Sequence, residues 1–134
     1  MTSSRRFPND PTAVRQARKF AVHELSSYSA ELLEIVELLV SELAGNCVRH
    51  TNSSFAVRIE ADRHRIRISV SDRGSGRPVV RSLDPNAVAG RGLALVAMLS
   101  SAWGVRQSRA AVGGKAVWFA LDLEDRGGRL GLVV

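Results

Sequence analysis

The feature that most constrains this chain is one apolar stripe. Leu32, Val36, Leu39, Leu43 and Cys47 recur at steps of four, three, four and four. That period belongs to an amphipathic helix and predicts one over residues 30–51. At about 100° per residue, Asn46 and His50 fall within the stripe and Glu42 lies on its edge. Burying polar groups without partners costs free energy. A helix built only to pack would carry Leu or Ala at those positions. Glu42 and Asn46 are four residues apart and so neighbours on one face. A carboxylate and an amide turned inward together point to a pocket for something polar. The plainer alternative is a glutamate at a helix margin and an asparagine near its end.

The rest of the chain supplies what that helix packs on. Asp10 followed by Pro11 and Thr12 is a helix start. Val14, Ala17, Ala21 and Leu25 form its stripe, with Arg15, Arg18 and Lys19 off it. Beyond the central helix, Thr51-Asn52-Ser53-Ser54 is a break. Phe55, Val57, Ile59 and Ala61 then alternate with Arg58 and Glu60, the pattern of a strand with one buried face. After a turn at Asp62-Arg63-His64, Ile66, Ile68 and Val70 repeat the alternation in a second, hairpin-paired strand. The next inward position is Asp72. A one-residue slip would expose every isoleucine, so the phase is well determined and a carboxylate stands where an apolar side chain is expected.

Asp72-Arg73-Gly74-Ser75-Gly76 ends that strand, and a turn alone accounts for the glycines. Residues 77–89 lack periodicity, and a loop of that length in a small domain is usually functional or mobile. Gly90-Arg91-Gly92 opens a helix through Leu93, Leu95, Val96 and Leu99. Its N-terminal amides and dipole suit an anion. Two strands follow, one near residues 103–108 and one over 115–123, linked through Gly113-Gly114. Residues 1–6 are expected to fray, with Arg5-Arg6-Phe7 available as an edge strand, and residues 125–134 to pack or fray. The order helix, helix, strand, strand, loop, helix, strand, strand predicts an α+β fold. It is a two-layer α/β sandwich, mostly antiparallel, with three helices on one face.

At 134 residues and 45% hydrophobic composition, the chain is long enough for one domain with a real core (core about 12–123) and too short for two. No apolar run is long enough to cross a membrane and no signal peptide opens the chain. One cysteine excludes an internal disulfide framework and fits a reducing cytoplasm. The formal charge of +6 is carried almost wholly by arginine. The arginines are dispersed and aromatic residues are few, which ranks nucleic-acid binding low. His23, His50 and His64 have no Cys–His spacing that would signal zinc.

Taken together, four separated pieces resemble the asparagine box and three glycine boxes of the GHKL, or histidine-kinase-like, ATPase superfamily. They are Glu42-x-x-x-Asn46, Asp72-x-Gly74-x-Gly76, Gly90-x-Gly92 and Gly113-Gly114. That superfamily includes gyrase B, MutL and the histidine-kinase catalytic domain. The stretches from Val40 to His50 and from Gly90 to Val96 are similar, within it, to the small anti-sigma-factor serine/threonine kinases of the RsbW and SpoIIAB type. The resemblance implies the Bergerat ATP-binding fold, with ATP and Mg²⁺ between sheet and helices. It makes Asn46 the metal ligand, Glu42 the general base and Asp72 the acceptor for the adenine amino group. Gly74 and Gly76 would lie against the base, residues 77–89 would form a lid, and Gly90, Arg91, Gly92 and Leu93 would serve the phosphates. Gly114 and Lys115 fall in the last box, where many relatives carry threonine. Lys115 is open to two readings, a phosphate contact or a surface lysine at a strand start. Arg15 matches, by position in the first helix, an arginine that contacts protein partners. The expected partners are a sigma factor and an anti-sigma-factor antagonist, with a second copy of the chain as an option. Two other functions stay open: a module that binds ATP without turnover, and a simple ATPase. No helical hairpin with a phosphoacceptor histidine precedes the boxes, so a complete sensor histidine kinase is not expected.

Overall fold

A computed structural model describes residues 1–73, 91–107 and 114–133, Arg91 by its backbone alone. The expectations for Gly74, Gly76, the 77–89 lid, Gly90 and Gly113, and for the Arg91 side chain, lie outside the described residues. The described order is β1 (Thr2–Phe7), α1 (Pro11–Glu24), α2 (Ala30–His50), β2 (Phe55–Ala61), β3 (Arg65–Asp72), α3 (Arg91–Leu99), β4 (Ala102–Gln107), β5 (Lys115–Arg126) and β6 (Arg129–Leu132). The strands run β1-β2-β3-β5-β4, with β6 added to β5, and every pairing is antiparallel. The fold is the expected α+β sandwich. No helix among the described residues is long and apolar enough to cross a membrane.

The core forms where two periodicities meet. Leu32, Val36, Leu39, Leu43 and Cys47 of α2 are all buried, as the helical stripe requires. They face Phe55, Val57 and Ile59 of β2, Ile66, Ile68 and Val70 of β3, and Phe119 and Leu121 of β5, which are buried too. Cross-strand register sets Val57 opposite Val70 and Ile68 opposite Phe119, so the inward rows of three strands coincide. The α1 stripe differs from expectation by one residue. Ala13, Ala17 and Ala21 are fully buried, whereas Val14 is only partly so. Small side chains at steps of four let α1 approach its neighbours closely, and the larger Val14 rotates to the margin.

At the two chain ends the structure decides between alternatives the sequence left open, and it corrects the placement of His50. Residues 2–7, expected mainly to fray, form an edge strand along β2 because Phe7 is buried, stacked on Phe55 at 5.5 Å and edge-on to Phe20 at 6.0 Å. At the other terminus β5 continues to Arg126 and turns through Gly127 and Gly128, at φ 68° and 91°, into β6. Leu130 and Leu132 pack on the core from there. His50 continues the α2 stripe by phase but is exposed at the helix end.

Side chains close the helix ends. Asp10 Oδ1 accepts from the Thr12 amide at 2.8 Å and its hydroxyl at 2.9 Å, which holds the Asp10 carboxyl below the usual carboxylate range. Ser29 Oγ accepts from the Leu32 amide at 3.3 Å to cap α2. The α2 C-terminus is held from outside. The Asn9 amide donates to the carbonyls of Thr51 at 2.9 Å and Ser53 at 3.0 Å, with a longer contact to Cys47 at 3.4 Å. Carbonyls that the last helical turn cannot satisfy thereby gain a donor. Asn9→Ala removes both short bonds. The expected loss is about 1–2 kcal/mol, within reach of thermal or urea unfolding, with the ends of α2 exchanging amide protons faster than in the wild type.

Candidate functional site

The cleft sits between the C-terminal half of α2, the ends of β3 and β5, and the start of α3. It is lined by Leu43, Asn46, Cys47, Val70, Asp72, Leu93, Lys115 and Val117. Four of the sequence-predicted site residues, Asn46, Asp72, Leu93 and Lys115, thus come together from four elements. Each arrives by a local rule. Asn46 follows Leu43 and precedes Cys47 on the α2 stripe, at the end where α3 meets the helix. Asp72 closes the inward row of Ile66, Ile68 and Val70, and is 4% exposed. Lys115 begins β5 directly across from Asp72 in the antiparallel register. Opposite charges facing across a ladder support the pairing. Lys115 is half-buried in the cleft wall, so it is no mere surface lysine.

Glu42 and Gly92 flank this lining. A Cβ built on Gly92 would lie 3.1 Å from Asn46 Nδ2, 3.3 Å from Glu42 Cβ and 3.4 Å from Glu42 Oε2. The first turn of α3 therefore rests on the Glu42–Asn46 face, and glycine there permits the approach. The carboxylate stands beside a helix N-terminus, where the macrodipole favours negative charge. Gly114 is buried at the entry to β5. Arg15 is elsewhere: it is exposed on α1 and lines a separate surface hollow with Arg18, Lys19 and His23.

Residues that the sequence did not single out complete the site. Arg49 Nη2 donates to Asn46 Oδ1 at 2.8 Å. The i to i+3 spacing on α2 was the available signal. Leu43, Cys47, Val70 and Val117 form apolar walls, foreshadowed only by their inward phases. Burial, then the charge of Asp72, pushes the Cys47 thiol up to about 12. It stays protonated at neutral pH and acts as an apolar wall. Burial, then the charges of Arg49 and Lys115, lowers the His50 pKa. That leaves the imidazole neutral at physiological pH.

An apolar slot with one buried carboxylate at its floor suits a flat heteroaromatic ring carrying an amino group. Among the described residues no cluster of three His, Cys, Asp or Glu could hold a metal ion. A divalent cation held here would take the Asn46 amide oxygen as a donor from the protein, with further oxygen ligands from a bound phosphate chain and water. That donor set fits Mg²⁺ and does not fit a protein-built metal centre.

Gly92→Ala tests the packing of α3 on the site. Alanine gains up to about 1 kcal/mol of helix propensity, but crowding a well-packed contact costs about 1–3 kcal/mol. Crowding wins because Glu42 Cβ is fixed on the α2 backbone and cannot swing aside. Calorimetry is expected to show weaker adenine-nucleotide binding, with the melting temperature equal or lower.

Comparison with known proteins agrees with this geometry. The structure is similar to the Mycobacterial sensor histidine kinase MprB, at a TM-score of 0.55 and 12% identity, over 90% of this chain and 97% of that one. At that identity the likeness is one of fold. Comparison with curated proteins gives no match. The family model described as the histidine kinase-like ATPase domain matches residues 7–121. The match runs from the last residue of β1 into β5 and contains every described cleft residue, and the chain belongs to the histidine kinase-like ATPase family.

Proposed function

We propose that this chain is an ATP-dependent serine/threonine protein kinase of the anti-sigma-factor type, which phosphorylates an antagonist and sequesters a sigma factor. The observation that carries the reading is Glu42: a carboxylate one helical turn before Asn46, against the start of α3. A module that merely held nucleotide would have no use for a base there. The subfamily reading rests on the stretches from Val40 to His50 and from Gly90 to Val96. The basic face of α1, exposed Arg15 and Lys19 beside half-buried Arg18 paired to Glu37, is the proposed partner surface.

Each residue has a distinct task in this reading. Asp72 accepts a hydrogen bond from the adenine amino group between the apolar walls. Asn46 presents its amide oxygen to Mg²⁺, which first requires that Arg49 share or release that atom. Lys115 adds positive charge to the cleft. Bound Mg–ATP supplies the phosphoryl group that is transferred. Glu42 takes the proton from the attacking hydroxyl, and a general base of this kind contributes about 10²–10⁴-fold in rate.

Mutation is expected to separate these roles. Glu42→Ala keeps Mg–ATP binding, or tightens it slightly through loss of a negative charge near the phosphates, while phosphotransfer falls by about 10²–10⁴-fold. Asn46→Ala loses Mg-dependent binding and turnover together. ATP affinity, melting temperature and labelled-phosphate transfer to candidate antagonist domains, measured on one preparation, decide the matter. A folded Glu42→Ala protein with wild-type turnover excludes the catalytic role. A folded wild-type protein that transfers phosphate to no acceptor and not to water is a binding module; one that transfers only to water is an ATPase.

Asp72→Asn tests base recognition separately. The amide oxygen still accepts, but the charge is lost, and hydrogen bonds to charged groups contribute about 1.5–3 kcal/mol. Calorimetry is expected to show ATP binding about 10–100-fold weaker, with reduced preference for adenine over guanine. Unchanged affinity and selectivity would remove Asp72 from the base site.

A further inference from the structure

The helices cover one face of the sheet. On the other face, alternation and register set side by side Arg6, Arg58, Arg65, Arg67 and Arg106, with Glu60 and Asp122 as the carboxylates among the described residues of these pairings. Both carboxylates are engaged, Glu60 with Arg58 at 3.2 Å and Asp122 with Arg65 at 2.8 Å. Arg6 donates to the Ser54 hydroxyl at 3.0 Å, and Arg67 lies over the Trp118 ring at 4.3 Å. Arg106 has no carboxylate partner among the described residues. The face therefore keeps an excess of positive charge. At its centre is a shallow trough with a floor of small side chains, Ala56, Ser69, Ser71 and Ala116, between Arg58 and Arg106. Those two arginines stand three strand spacings apart and two residues out of register, about 16 Å, which an extended chain crosses in about five residues.

We propose that this open sheet face is a second interaction surface, which binds an acidic, extended segment of a partner protein. The guanidinium groups offer forked donors matched to carboxylates. The serine hydroxyls offer donors and acceptors to a backbone lying between them. Two other occupants fit less well. A second copy seated face to face would bring two arginine-rich surfaces together. A single-stranded nucleic acid needs aromatic faces on which bases stack. Trp118 is the one aromatic residue of this face among the described residues, and its ring is already covered. Arg67 lies over it, and a Cβ on Gly104 would come within 2.8–3.0 Å of its indole atoms. The surface lies on the opposite side of the sheet from the nucleotide cleft, and the inference does not depend on kinase activity.

The test measures anisotropy of a labelled decapeptide of alternating Glu and Gly at low salt, with a labelled thymidine decanucleotide as the comparison. Arg106→Glu is expected to weaken peptide binding by about tenfold or more, consistent with loss of a charge-assisted hydrogen bond. Arg63→Glu makes the same charge change in the exposed turn between β2 and β3 and is expected to alter peptide binding less than about twofold, since exposed charges beyond a Debye length are screened. ATP affinity and melting temperature are expected to match the wild type in both variants. Four outcomes overturn the proposal: no peptide binding by the wild type, equal weakening in both variants, tighter binding of the oligonucleotide than of the peptide, or a wild-type dimer in sedimentation that Arg106→Glu dissociates.

Discussion

The packing of α2 against the sheet is the contact on which the rest depends. Its stripe from Leu32 to Cys47 has no exposure above 5%. Burying side chains of this size stabilises by about 1.5–3 kcal/mol each before chain entropy is counted. With the stripe committed to the core, the helix has a single allowed rotation. That rotation leaves Glu42 and Asn46 on the margin where α3 begins, and the Gly92 contact then sets how near they stand to its amides. The site is a by-product of core packing at the one end of α2 where polar side chains interrupt the stripe.

The sheet obeys the same economy. The inward row of β3 ends in Asp72, and antiparallel pairing with β5 sets Lys115 opposite it. A buried carboxylate at the end of an isoleucine row is expensive unless something compensates it. Lys115 stands opposite Asp72 in the ladder and Asn46 lines the same cleft, so the carboxylate has charged and polar neighbours. The two faces of the sheet divide the labour. The helix side carries the core and the nucleotide cleft, and the open side carries arginines and small polar residues.

Membership of the histidine kinase-like ATPase family accounts for the joint presence of these features, none of which is specific alone. A glutamate and an asparagine one turn apart, an inward aspartate and a glycine at a helix start each have ordinary structural explanations. Their convergence on one cleft does not. Arg49 adds something the motif does not describe. Its guanidinium donates to Asn46 Oδ1, so a cation of the protein itself engages the asparagine amide oxygen.

The elements were legible from sequence because their signals are local: the α2 stripe, the alternation of β2 and β3, the inward phase of Asp72, and the Asp10 cap. The α1 stripe was read correctly at Ala17, Ala21 and Leu25, and only its first member differs: Ala13 and Val14 are both apolar, and the closeness of α1 to its neighbours selects the smaller. The edge strand β1 and the hairpin β6 depended on distant partners, Phe55 for Phe7 and the core for Leu130 and Leu132. Local pattern cannot reveal such partners. The same limit applied at the site. Sequence alone marked Glu42, Asn46 and Asp72 as polar groups facing inward, since period and phase determine direction. It left Lys115 ambiguous and passed over Arg49 and the roof that Gly92 makes over Glu42. Those are decided by which strand lies beside which, and by how closely two helices approach, and both are properties of the assembled layers.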